Sequence, residues 1–179
     1  MRLIMSMVIR GVYPGRFQPP HLGHLYIVKW ALEKVDELII VVGSAQESHT
    51  LSNPFTAGER ILMIKEGLKD INVDLGRIYI VPVADIYMNS VWVHYVAMLI
   101  PPFKFAISRN PLVVRLFKEA GYEVLIPPPY SREMYSSTRI RRLMLQGSDE
   151  WRKLVSPSIA RVIDSIDGVR RLIEISGKD

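Results

Sequence analysis

Short apolar, β-branched runs alternate with longer helical stretches along this chain, and that alternation restricts the fold more than any other feature. The runs are Val8–Tyr13, Glu37–Val42, Arg77–Val83, Lys104–Ile107 and Glu123–Ile126. Between them the pattern predicts helices near Gly23–Lys34, Ala57–Lys69, Val91–Leu99 and Pro111–Ala120. Strands that alternate with helices argue for βαβ units and a parallel sheet. Most of the runs are apolar throughout, as expected when helices cover both sheet faces. After Pro127-Pro128-Pro129 the pattern is helical only, near Ser137–Gln146, Asp149–Leu154 and Ser158–Ile175.

The fold class read from this pattern is α/β. It is a Rossmann-like open parallel sheet of about five strands, with helices on both faces and a helical C-terminal segment. A chain of 179 residues can bury one sizeable core. The expectation is therefore a single domain over 1–179, with an α/β core at 1–130 and a helical part at 131–179. Ligands of such sheets bind outside the carboxyl ends of the strands, so the loops after each strand are the place to look.

Composition removes several function classes. Cysteine is absent, which excludes disulfides, thiolate nucleophiles and Cys-based metal sites. The longest uncharged apolar runs, Leu38–Val42 and Val91–Ile100, are too short to span a bilayer. The start, MRLIMSMVIR, has no proper hydrophobic region or small-residue cleavage site, so a secretory signal is not expected and the location is expected to be cytoplasmic. Met5 and Met7 are alternative start residues. The net charge of +5 suits either a nucleic-acid binder or a pocket for phosphorylated small molecules. The basic residues fall in phosphate-type motifs, which favours the pocket.

The first loop reads Gly15-Arg16-Phe17-Gln18-Pro19-Pro20-His21-Leu22-Gly23-His24. Two prolines fit a helix start. His21 and His24 are three apart and share one face of the first turn. There they sit beside backbone N–H groups that favour an anion. Gly23 lets a ligand approach the backbone, and Arg16 can swing over the same place. The same histidines would also suit helix capping and packing. A metal role lacks a third His, Cys or carboxylate nearby, so no metal ligand is nominated. The second string is Tyr135-Ser136-Ser137-Thr138-Arg139-Ile140-Arg141. Ser136, Ser137 and Thr138 suit the N-cap of the following helix. Arg139, Arg141 and Arg142 crowd its first turns, an arrangement unfavourable for the helix dipole unless an anion is expected there. A solvated basic face is the plainer reading.

These two strings resemble the H-x-G-H and I-S-S-T-x-x-R signatures of the nucleotidylyltransferase superfamily, in the right order and at opposite ends of the α/β pattern. Four further segments narrow the resemblance: Gly43–His49, Asn53–Arg60, Pro82–Trp92 and Asn110–Phe117. Together they look like the archaeal nicotinamide-nucleotide adenylyltransferases over nearly the whole chain. The resemblance implies transfer of the AMP part of ATP to nicotinamide mononucleotide (NMN), giving NAD and pyrophosphate. It implies catalytic roles for Arg16, His21, His24 and Arg141. ATP contacts are expected from Gly15, Phe17, Gly23, Asn110, Ser136, Ser137, Thr138 and Arg139, the last on a variable position of the motif. NMN or NAD contacts are expected from Ser44, Gln46, Asp85, Ile86, Asn89 and Trp92. It also suggests a homo-oligomer, in particular a hexamer.

Elementary chemistry supports parts of this assignment. A pyridinium stacked on the Trp92 indole gains cation–π energy of about 1–2 kcal/mol when desolvated. From sequence alone a core role for Trp92 is the more natural reading, and a plain cap for Asn110 is equally natural. Thr56-Ala57-Gly58-Glu59 has the form of a capping box, and Arg60 has no assigned role. The reaction needs no protein nucleophile, because the NMN phosphate attacks the α-phosphorus in line. Magnesium is expected to travel with ATP, held by phosphates and water. No P-loop and no G-x-G-x-x-G string is present. Ser52 and Arg109 depart from some relatives, which carry a charged residue and a glycine there. Other acceptors remain open: nicotinate mononucleotide, FMN, pantetheine phosphate or a sugar phosphate. So do a nucleic-acid-binding protein and a regulatory module that binds ATP or NAD without turnover.

Overall fold

The computed structural model describes residues 8–131 and 133–177; the alternative starts Met5 and Met7 lie outside them. Five strands form one parallel sheet in the order β3-β2-β1-β4-β5. They are β1 (Arg10–Gly15), β2 (Glu37–Val42), β3 (Ile78–Pro82), β4 (Phe105–Ile107) and β5 (Glu123–Leu125). The helices between them are α1 (Leu22–Ala31), α2 (Ala57–Asp70), α3 (Asn89–Leu99) and α4 (Pro111–Glu119). Then follow α5 (Ser137–Leu145), a 3₁₀ segment (Asp149–Leu154), α6 (Pro157–Ser165) and α7 (Gly168–Ile175). The open parallel sheet with helices on both faces is the predicted class.

Side chains of β2 point alternately to two cores. Leu38, Ile40 and Val42 join a core with Leu25, Met63, Ile140, Trp151 and Ile159. Ile39 and Val41 join another with Val12, Val93, Val96 and Phe117. Burial on both faces is why this strand reads as one continuous apolar run. Register brings Gly15, Val42 and Pro82 side by side at the carboxyl edge. Strand order reverses between β1 and β4, so the crevice for a ligand opens there.

Several boundaries differ from expectation. The first strand runs to Gly15, because pairing with β2 carries Pro14 and Gly15 into the sheet. Arg77 belongs to a short 3₁₀ turn, and its guanidinium binds the carbonyls of Leu32, Val35 and Asp36 beyond α1. The segment Asp149–Leu154 is 3₁₀. The single helix expected over Ser158–Ile175 is two helices. Asp167 turns the chain in a left-handed conformation, φ 51°. Gly168 then packs so closely on Phe55 that an added Cβ would lie 2.8 Å from its ring. Asp167-Gly168 is a turn signal that helical periodicity masked.

The capping box of α2 is present: Glu59 accepts from the Thr56 N–H and Thr56 Oγ1 from the Glu59 N–H. Glu59 also takes both donors of Arg171 at 2.7 and 2.8 Å, joining α2 to α7. Burial opposes the Glu59 charge, but hydrogen bonds from Arg171 and Thr56 outweigh it and hold its pKa below the ordinary 4.5. A depressed carboxyl stabilises the fold above its unfolded pKa and loses that contribution as pH falls through the folded value. Glu59→Gln should therefore lower stability by about 1–3 kcal/mol at pH 7. Melting curves of both proteins at pH 7 and pH 3 check this; the gap should shrink at pH 3.

Candidate active site

The loop after β1 builds the floor of the crevice. His21 is the N-cap of α1, with φ −146°, and His24 stands one turn on. The imidazoles stack with centroids 3.7 Å apart, and His24 also packs on Phe17 at 4.7 Å. The His21 backbone N–H donates to His24 Nδ1 at 3.2 Å. A ring nitrogen that accepts carries no proton, so in neutral His24 the proton sits on Nε2 and that atom is a donor. Burial pushes the His21 pKa down to about 3. Burial and the neighbouring His21 hold His24 well below its usual range. Two stacked neutral imidazoles are therefore the state at neutral pH. The histidines cap the helix and line the crevice at once. Gly23 has a packing reason as well: a Cβ there would come within 3.0 Å of the His21 ring and 3.2 Å of Tyr135.

The start of α5 closes over this loop. Ser136 caps α5 by accepting from the Arg139 N–H, and Ser137 Oγ donates to the Pro19 carbonyl at 2.9 Å. Arg141 donates to the Gln18 carbonyl at 2.8 Å. Burial, and then the nearby Arg16, lower the Arg141 pKa. Three arginines, Arg16, Arg109 and Arg141, and the N-termini of α1 and α5 thus converge on one cavity of about 400 Å³. Gly15, Arg16, Phe17, His21, Gly23, His24, Asn110, Ser136, Ser137, Thr138 and Arg141 all line it. Arg139 does not; it donates outward to the Glu133 carbonyl. Asn110 also caps α4, its Oδ1 accepting from Leu112 and Val113.

A second cavity of about 460 Å³ opens beyond the ends of β2 and β3. Ser44, Asp85, Ile86, Asn89 and Trp92 line it. Ser44 Oγ donates to Asp85 at 2.6 Å. Gln46 lies outside its wall and works between loops, accepting from the Asp85 N–H and reaching the Tyr87 hydroxyl. Trp92 is half-buried, with its ring edge-on to Phe117, so it is both wall and core. The two cavities share Pro14, Gly15, Arg16 and Asn110. One ligand can therefore lie at each side of the β1 loop, with their ends meeting at Arg16.

The cytidylyltransferase-like family matches residues 12–143, which include both helix N-termini and both cavities. The chain belongs to the cytidylyltransferase-like family. Among its curated relatives, the nicotinamide-nucleotide adenylyltransferase of Saccharolobus solfataricus is 59% identical over 95% of this chain and 98% of its own length. That of Ignicoccus hospitalis is 56% identical over 96% and 100%. Among solved structures, a bifunctional NMN adenylyltransferase/ADP ribose pyrophosphatase from Francisella tularensis, complexed with AMP and manganese, superposes with a TM-score of 0.76. It is 22% identical over 96% of this chain, which spans about half (53%) of that longer protein, and it supports the fold alone.

Sequence reasoning left Arg60 without a role, passed over Gln18, and singled out Arg109 only as a departure that adds a cation near the ATP site or points into solvent. Arg60, fully buried, reaches the loops after β1 and β2. Gln18 pairs with both backbone groups of Phe55. Arg109 lines the first cavity and donates to the Pro127 carbonyl at 2.6 Å. The signal for Arg60 was present: it falls on the buried face of α2 with Met63, Ile64, Gly67 and Leu68.

Proposed function

We propose that this protein transfers the adenylyl group of ATP to NMN, forming NAD and pyrophosphate. The observation that carries the reading is the pair of cavities joined at Gly15 and Arg16. ATP takes the first cavity and NMN the second, so the NMN phosphate and the α-phosphorus meet at the shared wall. His24, through Nε2–H, and His21 contact the α- and β-phosphate oxygens. Arg16 and Arg141 neutralise the β- and γ-phosphates as charge moves to the leaving pyrophosphate. Gly15, Phe17, Gly23, Asn110 and Ser136–Thr138 complete the ATP side; Arg139 has at most an indirect part. Asp85, Ile86 and Asn89 face the carboxamide, and a carboxylate at Asp85 favours an amide over an acid. Gln46 acts by holding Asp85.

The first cavity offers arginine, histidine and hydroxyl donors, and the described residues hold no group of three or more His, Cys, Asp or Glu suited to a metal. That donor set fits a triphosphate carrying its own magnesium, which phosphates and water would hold. No helix among the described residues is long and apolar enough to cross a membrane. We place the reaction in the cytoplasm and assign the working form to a homo-oligomer.

The test is pyrophosphate release from ATP and magnesium with NMN, nicotinate mononucleotide, FMN and pantetheine phosphate offered separately. NAD formed with NMN supports the reading. Release only with another acceptor keeps the ATP side and overturns the roles given to Asp85–Trp92. Trp92→Ala should raise the Michaelis constant for NMN about tenfold, the size of a desolvated cation–π contact, and leave that for ATP unchanged. A variant altered only in melting temperature would return Trp92 to the core.

A further inference from the structure

Arg60 is 0% exposed and, among the described residues, makes no hydrogen bond to a carboxylate. Its donors go to four backbone carbonyls: Nη1 to Arg16 and Gly43, both 2.8 Å, Nη2 to Ser44 at 3.1 Å, and Nε to Thr56 at 3.2 Å. Burying a guanidinium among neutral carbonyls is costly, because they replace only part of its hydration. Burial lowers its pKa to about 10; Asp85 and Glu59 act against that and Arg16 with it. A clamp between loops can be made from neutral groups, as Gln18 and Phe55 demonstrate. The charge needs a further reason.

The peptide geometry supplies one. Phe17 and Ser44 follow the gripped carbonyls of Arg16 and Gly43, each just past the end of a strand. Both adopt positive φ, 52° and 48°, which such residues rarely do. In a trans peptide the C=O and the following N–H point in opposite directions. With both oxygens turned onto Arg60, the N–H groups of Phe17 and Ser44 turn toward the cavities those residues line. Among the described residues, neither N–H donates to a backbone or side-chain acceptor.

We propose that Arg60 is a positioning residue for the adenylyl transfer: it holds the loop carbonyls away from the reacting phosphates, turns two amides toward them, and sets a buried positive charge beneath the wall both cavities share. Both substrates bring phosphate to that wall, and the fixed cation and the two amides offset their repulsion. The assignment rests on the reaction proposed above.

The experiment compares wild type, Arg60→Met, Arg60→Lys and Arg171→Met. Turnover and both Michaelis constants are measured, with melting temperature and binding of a non-hydrolysable ATP analogue as checks of folding. Arg171→Met disturbs the start of the same helix without touching the carbonyls of Arg16, Gly43 and Ser44. Arg60→Met should lower kcat about 50-fold, within what small misplacement of reacting groups costs. Arg60→Lys should lose about tenfold, since an ammonium keeps the charge but not the fork. Arg171→Met should melt earlier with kcat nearly unchanged. A folded Arg60→Met with wild-type kcat overturns the proposal, and so do deficits that merely follow the folded fraction. Amide exchange in the wild type tests it independently of any variant. The Phe17 and Ser44 amides should exchange freely alone and be protected with NMN and the ATP analogue bound; unchanged exchange overturns the proposal. A wild type that makes no NAD from ATP and NMN defeats the reaction assignment instead.

Discussion

Arg141→Met is expected to lose about three orders of magnitude in kcat/KM for ATP, while the protein melts at the same temperature or higher. The activity loss follows from placement. An arginine that meets transferring phosphates is worth about 10³–10⁵ in rate in related chemistry. Arg141 lines the first cavity beside the α1 N-terminus and the histidine pair. The stability half follows from the same geometry. Arg141 is held against Arg16, and its lowered pKa, from burial and then from Arg16, means that its charge opposes the unliganded fold. Its hydrogen bond to the Gln18 carbonyl is a small gain by comparison. Steady-state kinetics with varied ATP and a thermal melt decide both halves. A variant that unfolds would make Arg141 a structural tie between α5 and the first loop; one that keeps kcat/KM would remove it from phosphate binding.

His24→Ala is expected to lower kcat about 10²–10³-fold, the usual effect of deleting one transition-state donor. Its Nδ1 is engaged by the His21 N–H, so Nε2 carries the proton and, under the proposed reaction, serves the phosphates in the first cavity as a donor. Both imidazoles are neutral at physiological pH because burial depresses them. The kcat/KM–pH profile, which reports the free enzyme, should accordingly show no histidine titration near 6.5 in either direction. Normal turnover in the variant would place His24 outside the mechanism. A limb near 6.5 that disappears in the variant would make it a proton carrier instead of a neutral donor.

The strands and the two loops that line the first cavity were legible because they depend on local signals. Apolar runs buried on both faces mark strands, and helix starts rich in His, Ser and Thr mark anion sites. What stayed hidden depends on contacts far apart in sequence. Arg60 acts on Arg16, 44 residues away, and only the folded sheet brings their loops together. Gln46 belongs to the right loop, but its amide is taken by Asp85 and Tyr87. Arg139 sits in the right motif, yet helix geometry turns it outward while Arg141, two residues on, turns inward. Spacing alone does not separate these cases.

The wall common to the two cavities has a consequence for what leaves the enzyme. NAD, under the proposed reaction, is a single molecule that occupies both cavities at once, whereas each substrate fills one. Joining two fragments makes the second contact intramolecular, so the dinucleotide gains an effective concentration that neither mononucleotide has. The finished product is then a bivalent competitor of both starting materials. Its accumulation would throttle its own synthesis without any separate regulatory site.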